Sequence, residues 1–209
     1  MTTSASPAST RAASRPSALR RAAEWCYRTL GRWYAALLAL IGFVLFLALV
    51  STAQAEKTDE YAEGVDLPDT SPWYSPSEVY AAAQAIGEQG REEYVQARYT
   101  FDVVWPIVYT LFFVVVLSWV FRRVTAPDGR WRAINLFPLV PLAFDYLENL
   151  AASIVMTRYP DETLVVVHAL PVFSLLKWTT LSACFVLIVV GGVLALRARR
   201  QSPSTSARS

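Results

Sequence analysis

Asp145, Glu148 and Asn149 stand at i, i+3 and i+4 in a run that is otherwise apolar, NLFPLVPLAFDYLENLAASIVMTR. On a helix they share one face with Ala152, and lipid cannot lie against that face. Lys177 stands in the next apolar run. Charged side chains near the centre of a bilayer cost about 2.5–3.5 kcal/mol each even on lenient insertion scales, so three at one depth are expected to pair. Lys177 is therefore predicted to form a buried ion pair with Asp145 or Glu148. Two acids and one lysine do not neutralise one another, and one acid is expected to keep its proton at neutral pH. Such a carboxyl can carry a proton or act as a general acid, with Asn149 placed to donate a hydrogen bond to it. The alternative is a cluster that performs no chemistry and locks the register of the helices.

Asp102, Tyr109, Ser174 and His168 are the candidate accessory residues. Asp102, Pro106, Tyr109 and Phe113 recur at helical spacing in FDVVWPIVYTLFFVVVLSWVF. Proline has no N–H to donate, so Pro106 frees the carbonyl of Asp102. Pro138, Pro141 and Pro171 are expected to open their own helices in the same way. His168 reads first as a residue of the membrane surface, and Tyr99, Trp105, Trp119, Trp131 and Tyr159 as interfacial anchors. No residue is assigned a catalytic role. The sequence holds no GxGxxG, Walker loop, HExxH, CxxC pair or GxSxG, the short signatures of nucleotide, metal and acyl-transfer sites. With one histidine, a histidine-rich metal centre is excluded, and neither metal nor cofactor is expected. Cys26 and Cys184 are too isolated to suggest a disulfide framework.

The elements that must position these residues are membrane helices. Of 209 residues, 54% are apolar and 17% charged, against about 25% charged in an average soluble domain. Four apolar runs, at about 33–54, 101–121, 134–157 and 164–196, are long enough to cross roughly 30 Å of hydrocarbon at about 1.5 Å per residue. The expected fold is all-α, a polytopic four-helix transmembrane bundle with a partly helical extracytoplasmic loop. A domain of residues 23–199 would lie between tails of Ser, Ala, Thr, Pro and Arg at 1–22 and 200–209, which cannot bury enough surface to order themselves. Counted from Arg158 at about 1.5 Å per residue, Glu148 lies roughly 15 Å deep and Asp145 roughly 20 Å. Lys177 lies roughly 20 Å below Thr163 by the same count. The short turn RYPDET makes the third and fourth spans antiparallel neighbours.

Arginines set the orientation. They precede the first run (Arg11, Arg15, Arg20, Arg21, Arg28, Arg32), join the second to the third (Arg122, Arg123, Arg130, Arg132) and follow the fourth (Arg197, Arg199, Arg200). By the positive-inside rule these three places share the cytoplasm, together with both termini. The loop at 55–100 instead carries ten acids and faces out. Arginine so outnumbers lysine that a GC-rich bacterial genome, and so a bacterial cytoplasmic (inner) membrane, is the expected setting. Ala53-Gln54-Ala55 closes the first run with the small-residue pattern of a signal-peptide cleavage site. The run is either retained as a span or removed, and the rest keeps its orientation in both cases. Within the loop, Ser75-Pro76-Ser77-Glu78 reads as a capping box with proline at the first helical position. Val79, Tyr80, Ala83 and Ile86 continue at helical spacing, and Gly87 is the expected stop. A second helix from about Arg91 is expected to run into the second span.

Tyr99-Thr100-Phe101-Asp102, Trp105-Pro106-Ile107-Val108-Tyr109 and Phe144-Asp145-Tyr146-Leu147-Glu148-Asn149 together resemble a pattern of an uncharacterised bacterial four-span integral membrane protein family. The resemblance covers about residues 73–190 and implies no activity. In general layout a small bundle with interior acids is also similar to the emopamil-binding sterol isomerases, whose histidine and tryptophan pattern is not matched. The expected function is non-enzymatic: binding a small or lipidic molecule, or a membrane partner protein, around Asp145, Glu148 and Lys177. The alternatives are a lipid-modifying enzyme using the same residues for acid–base catalysis and a proton-coupled transporter component. The bilayer is the one certain partner. Basic residues that flank spans without stacking aromatics in a soluble domain argue against nucleic acid.

Overall fold

The computed structural model describes residues 17–68, 71–127 and 129–201. Nearly all of the expected C-terminal tail, and residues 1–16 of the N-terminal one, lie outside these. The remainder of the N-terminal segment is not tail. Ser17 accepts a hydrogen bond from the backbone N–H of Arg20 and caps helix α1 (Ala18–Thr29), whose Ala23, Cys26 and Tyr27 are buried. The buried face of α1 lies at residues 23–27, within the expected domain, and the helix begins five residues before that domain was expected to start.

All described elements are helical, and four helical stretches are long and apolar enough to cross a membrane: Trp33–Ala62, Gly87–Phe121, Trp131–Arg158 and Leu164–Ala198. The first consists of α2 (Trp33–Phe46), a π-helical turn (Leu47–Ser51) and α3 (Thr52–Ala62). It is longer than the apolar run, because the alanines, glutamates and lysine of AQAEKTDEYA carry the helix on past the AxA sequence. The second joins α5 (Gly87–Tyr99) to α6 (Phe101–Phe121) through Thr100, whose φ of −118° and ψ of −80° mark a break. The third is a 3₁₀ stretch (Arg130–Leu136) followed by α7 (Leu139–Arg158), and the fourth is α8 (Leu164–Gln201).

Pro138 and Pro141 do not kink α7. Pro138 is its N-cap and Pro141 sits in its first turn, where backbone N–H groups have no intrahelical acceptor and proline loses nothing. The capping box of α4 (Pro76–Ala85) forms in full. Ser75 accepts from the Glu78 N–H, and the Glu78 carboxylate accepts from the Ser75 N–H at 2.6 Å. Those bonds hold the exposed Glu78 carboxyl below the ordinary glutamate range. Gly87 turns the chain between α4 and α5 at a φ of +68°, a conformation that favours glycine.

α7 and α8 form the most extensive helix pair. Their halves at the acidic end bury Val155, Met156, Val167 and Leu170 against Val79 and Ala83 of α4 and Tyr94 of α5. The loop helices therefore cap the bundle. At the arginine-rich end, α1 packs Ala23 and Tyr27 against Leu117, Val120 and Phe121 of α6. α2 attaches to α6 by ring stacking: Phe43 on Phe112 at 4.5 Å, and Phe46 on Trp105 at 5.7 Å. Trp105 is thus a packing residue and not an interfacial anchor, while Tyr99 and Trp131 remain exposed. Most other faces of α2 and α8 are apolar and exposed, as helices facing lipid must be.

α6 and α8 cross closely at Gly191, where an added Cβ would lie 2.6 Å from Val120 Cγ1 and 2.7 Å from Phe121 Cε2. At Gly192 it would meet nothing within 4 Å. Gly191→Ala is therefore expected to destabilise the protein by about 1–3 kcal/mol through overpacking. Gly192→Ala should be neutral, or stabilising by up to about 1 kcal/mol through helix propensity. Thermal denaturation in detergent checks the pair, and equal effects at both positions would contradict this crossing.

Candidate functional site

The candidate residues converge on the inward face of α7. Asp145, Glu148 and Asn149 are 6%, 1% and 7% exposed, and Lys177 of α8 is 7% exposed. Lys177 Nζ lies 2.5 Å from Glu148 Oε2, so of the two acids Glu148 is its partner. The other oxygen, Glu148 Oε1, accepts a hydrogen bond of 2.9 Å from the Tyr74 hydroxyl. Tyr74 belongs to the segment before α4, and Ser174, fully buried on α8, donates to the carbonyl of Ser71 in the same segment at 2.9 Å. Loop 71–74 thus closes over the acid–lysine pair.

Asp145 has no cation at ion-pair distance among the described residues. Two neutral donors hold it: the Tyr109 hydroxyl at 3.0 Å on Oδ2, and Asn149 Nδ2 at 2.9 Å on Oδ1. Asn149 therefore points its amide at the acid one turn before it, as its spacing predicted. Its Nδ2 also lies 3.5 Å from the Asp102 carbonyl, the group that Pro106 deprives of a helical donor. Ser153 donates to the Asn149 carbonyl at 2.8 Å, and Tyr146 donates to the Val103 carbonyl at 2.8 Å. The opened turn of α6 is thereby stitched to α7.

Asp102 is ion-paired with Arg98, four residues earlier on α5, across the break at Thr100. The Arg98 guanidinium also lies over the Tyr94 ring, 4.1 Å from its centroid. Arg98 was missing from the sequence reading although the signal was present: an i, i+4 Arg/Asp pair where one helix runs into the next. Tyr74 had no such signal, since nothing local tells which loop tyrosine will reach an acid 74 residues away. His168 is not part of the cluster. It is exposed, and its Nδ1 donates to the Leu164 carbonyl of its own helix at 2.6 Å.

Seen together, α5, α6, α7, α8 and one loop supply two cations, three acids and six neutral polar side chains in one connected network. With Arg98 on Asp102 and Lys177 on Glu148, Asp145 is the carboxyl of the three with no cation at contact distance among the described residues. A cavity of about 420 Å³ opens beside this network, between the π turn with α3 and the start of α6. Leu47, Phe101 and Trp105 form its apolar wall, and Arg98 and Asp102 its polar side. Ser51, in the π turn, lines it with a buried hydroxyl that has no hydrogen-bond partner among the described residues. Among the described residues, no group of three or more His, Cys, Asp or Glu side chains is arranged to hold a metal ion. Comparison with family models, with curated proteins and with solved structures gives no match, so function is read from the chemistry of these side chains.

Removing one member of a buried ion pair strands the other, which typically costs about 3–5 kcal/mol, whereas replacing both can be nearly neutral. Glu148→Gln and Lys177→Met should each lower stability strongly, and the double substitution should recover most of the loss. Asp145→Asn keeps one acceptor and turns the other into an N–H from which the Tyr109 hydroxyl can accept, so it should cost less than about 1.5 kcal/mol. A double-mutant cycle of detergent-denaturation midpoints measures the coupling. Additive losses at Glu148 and Lys177 would mean that the pair does not form.

Proposed function

We propose that this is a non-catalytic, multi-pass protein of a bacterial cytoplasmic membrane, with both termini cytoplasmic, that holds one lipidic or other small amphiphilic molecule beside its intramembrane polar network. The observation that carries this reading is the crevice along Leu47, Ser51, Phe101, Trp105, Arg98 and Asp102. It offers an amphiphile what it needs: an apolar wall for a chain, an ion pair and an unpartnered hydroxyl for a head. Polar groups buried without partners are rare in native structures, so the Ser51 hydroxyl favours a ligand there. π turns also occur often where a helix makes room for function.

The acid–base and proton-carrier alternatives both require Asp145 or Glu148 to meet a substrate or water. Their burial, and the loop closed over Glu148, favour a network that shapes and braces the crevice. A partner membrane helix seated on the same crevice is the competing occupant. The bilayer is the setting in every case.

Native mass spectrometry of protein extracted in mild detergent tests the reading. The wild type should carry one lipid-mass adduct per chain, and Ser51→Leu, which fills the widened turn, should lower its occupancy at least tenfold while leaving the melting temperature within a few degrees. A wild-type protein free of any such adduct, or a Ser51→Leu variant that keeps it, overturns the proposal. A partner protein released in its place supports the competing occupant, and chemical conversion of the adduct supports the enzyme.

The arginines at one end and the acids at the other support the proposed orientation. A fluorescent reporter that matures only in the cytoplasm, fused after Ser209, should glow, and a periplasm-dependent phosphatase at the same place should stay inactive. The reverse pattern would invert the topology.

A further inference from the structure

The arginine-rich end holds another cavity, of about 580 Å³, separate from the crevice beside Arg98 and Asp102. Arg28, Arg32, Arg122, Arg123 and Arg132 line it, with Trp119 of α6. These come from three separate stretches of chain: the end of α1 with its turn into α2, the end of α6, and the 3₁₀ stretch before α7. Gly31 makes the convergence possible. An added Cβ there would lie 2.5 Å from the Tyr27 carbonyl and 3.3 Å from that of Ser118, so only glycine lets the α1–α2 turn sit against α6.

The charges are unequal. One carboxylate, Glu24, faces the five guanidiniums, and it is already engaged by Arg132 at 2.5 Å and 3.2 Å. That bond holds the Glu24 carboxyl below its ordinary range. Arg122 donates to the Gly31 carbonyl at 3.2 Å and Arg32 to the Tyr34 hydroxyl at 2.9 Å, contacts that fix direction without cancelling charge. Arg28 and Arg123 have no hydrogen-bond acceptor among the described residues. Trp119 adds an independent sign: its indole N–H is buried with no acceptor among the described residues. The positive-inside rule explains why arginines lie at this end. It does not explain their convergence on one hollow with an orphan donor in its lining.

We propose that this cavity binds a phosphate group, either the head of an anionic phospholipid or a soluble phosphate ester. A phosphate oxygen would satisfy the Trp119 N–H, and the planar forks of Arg28 and Arg123 match phosphate geometry in a way that point charges do not. Trp33 and Tyr34 at the rim suit a site at the level of lipid headgroups.

The test uses the full chain in nanodiscs of phosphatidylcholine, with and without phosphatidylglycerol, and in detergent with inorganic phosphate or glycerol 3-phosphate. Binding is read as retained lipid by native mass spectrometry and as thermal stabilisation. Retention of phosphatidylglycerol should fall at least tenfold in Arg28→Gln/Arg123→Gln and severalfold in Trp119→Phe, which removes only the N–H. It should stay within twofold of wild type in Arg197→Gln/Arg200→Gln, which removes equal charge at the same end but outside the cavity. Stabilisation by phosphatidylglycerol alone assigns the site to lipid, and equal stabilisation by the soluble phosphates assigns it to a free ester. If both arginine pairs lose binding alike, or if neither probe binds the wild type, the proposal fails. Melting temperatures of the unliganded variants near that of the wild type separate lost binding from lost folding.

Discussion

An ammonium group inside a membrane helix has few tolerable surroundings, and the arrangement around Lys177 follows from that constraint. Only a carboxylate at contact distance removes most of the penalty, and Glu148 supplies it across the α7–α8 seam. Because the two residues are one helical position each, the pair fixes both the rotation and the axial register of the helices that carry them. Such a pair is weak evidence for stability, since apolar residues of equal volume often do as well. Its value lies in specificity. With α7 and α8 held in that register, the second oxygen of Glu148 is left facing the acidic end, and it is there that Tyr74 binds. Ser174, three residues before the lysine, takes the Ser71 carbonyl from the same direction. The cap formed by α4 and its preceding loop is thereby keyed to the bundle through polar contacts, which an apolar seam alone would not specify.

A second consequence runs through Pro106. A proline in a helix interior normally leaves a carbonyl without a donor, a defect that hydrocarbon punishes. Here the freed carbonyl of Asp102 faces Asn149, which in turn orients Asp145, which accepts from Tyr109 one turn beyond the proline on α6. The loop of interactions returns to the helix on which it began. The break at Thr100 also brings Arg98 to Asp102, so the side chain is compensated where the backbone is open. Irregular backbone, a proline and an acid, each unfavourable alone, become mutually supporting at one level of the bundle.

Much of this was legible in the sequence because membranes reduce the choices. Length, absence of charge and arginine placement gave four spans, and the i, i+3, i+4 spacing gave the face on which Asp145, Glu148 and Asn149 meet. The RYPDET turn made Lys177 a neighbour of that face, and the capping box at Ser75 gave the start of α4. What the sequence did not display is of two kinds. Local competition hid some features: the first turn of α1 lies in a stretch whose composition reads as tail, and Pro138 and Pro141 looked like kinks because the helix start between them had no conventional cap. Long-range contact hid the others. Tyr74 on Glu148 and Arg132 on Glu24 join positions far apart in the chain, and neither partner's surroundings announce the other.

The two polar regions differ in what they leave undone, and that difference separates their roles. At the acid–lysine network Asp102 and Glu148 each have a cation at contact distance, and Asp145 has two neutral donors. Its acids are matched within the bundle, and what it offers a ligand is the crevice along its flank, where Arg98 and Asp102 form the polar side. That crevice is bounded on one side by α2 and its π turn, which meet α6 through stacked rings worth about 0.5–1.5 kcal/mol per pair beyond their buried area. α7 and α8 by contrast share a continuous seam with an ion pair in it. α2 is consequently the wall whose displacement disturbs least, so a molecule beside Arg98 and Asp102 can be accommodated without unlocking the register that Glu148 and Lys177 set. At the arginine-rich end the reverse holds: five cations converge on a rigid glycine turn with a single, already committed carboxylate. There the packing is close and the charge is unmatched, which is the physical basis of the phosphate site proposed above.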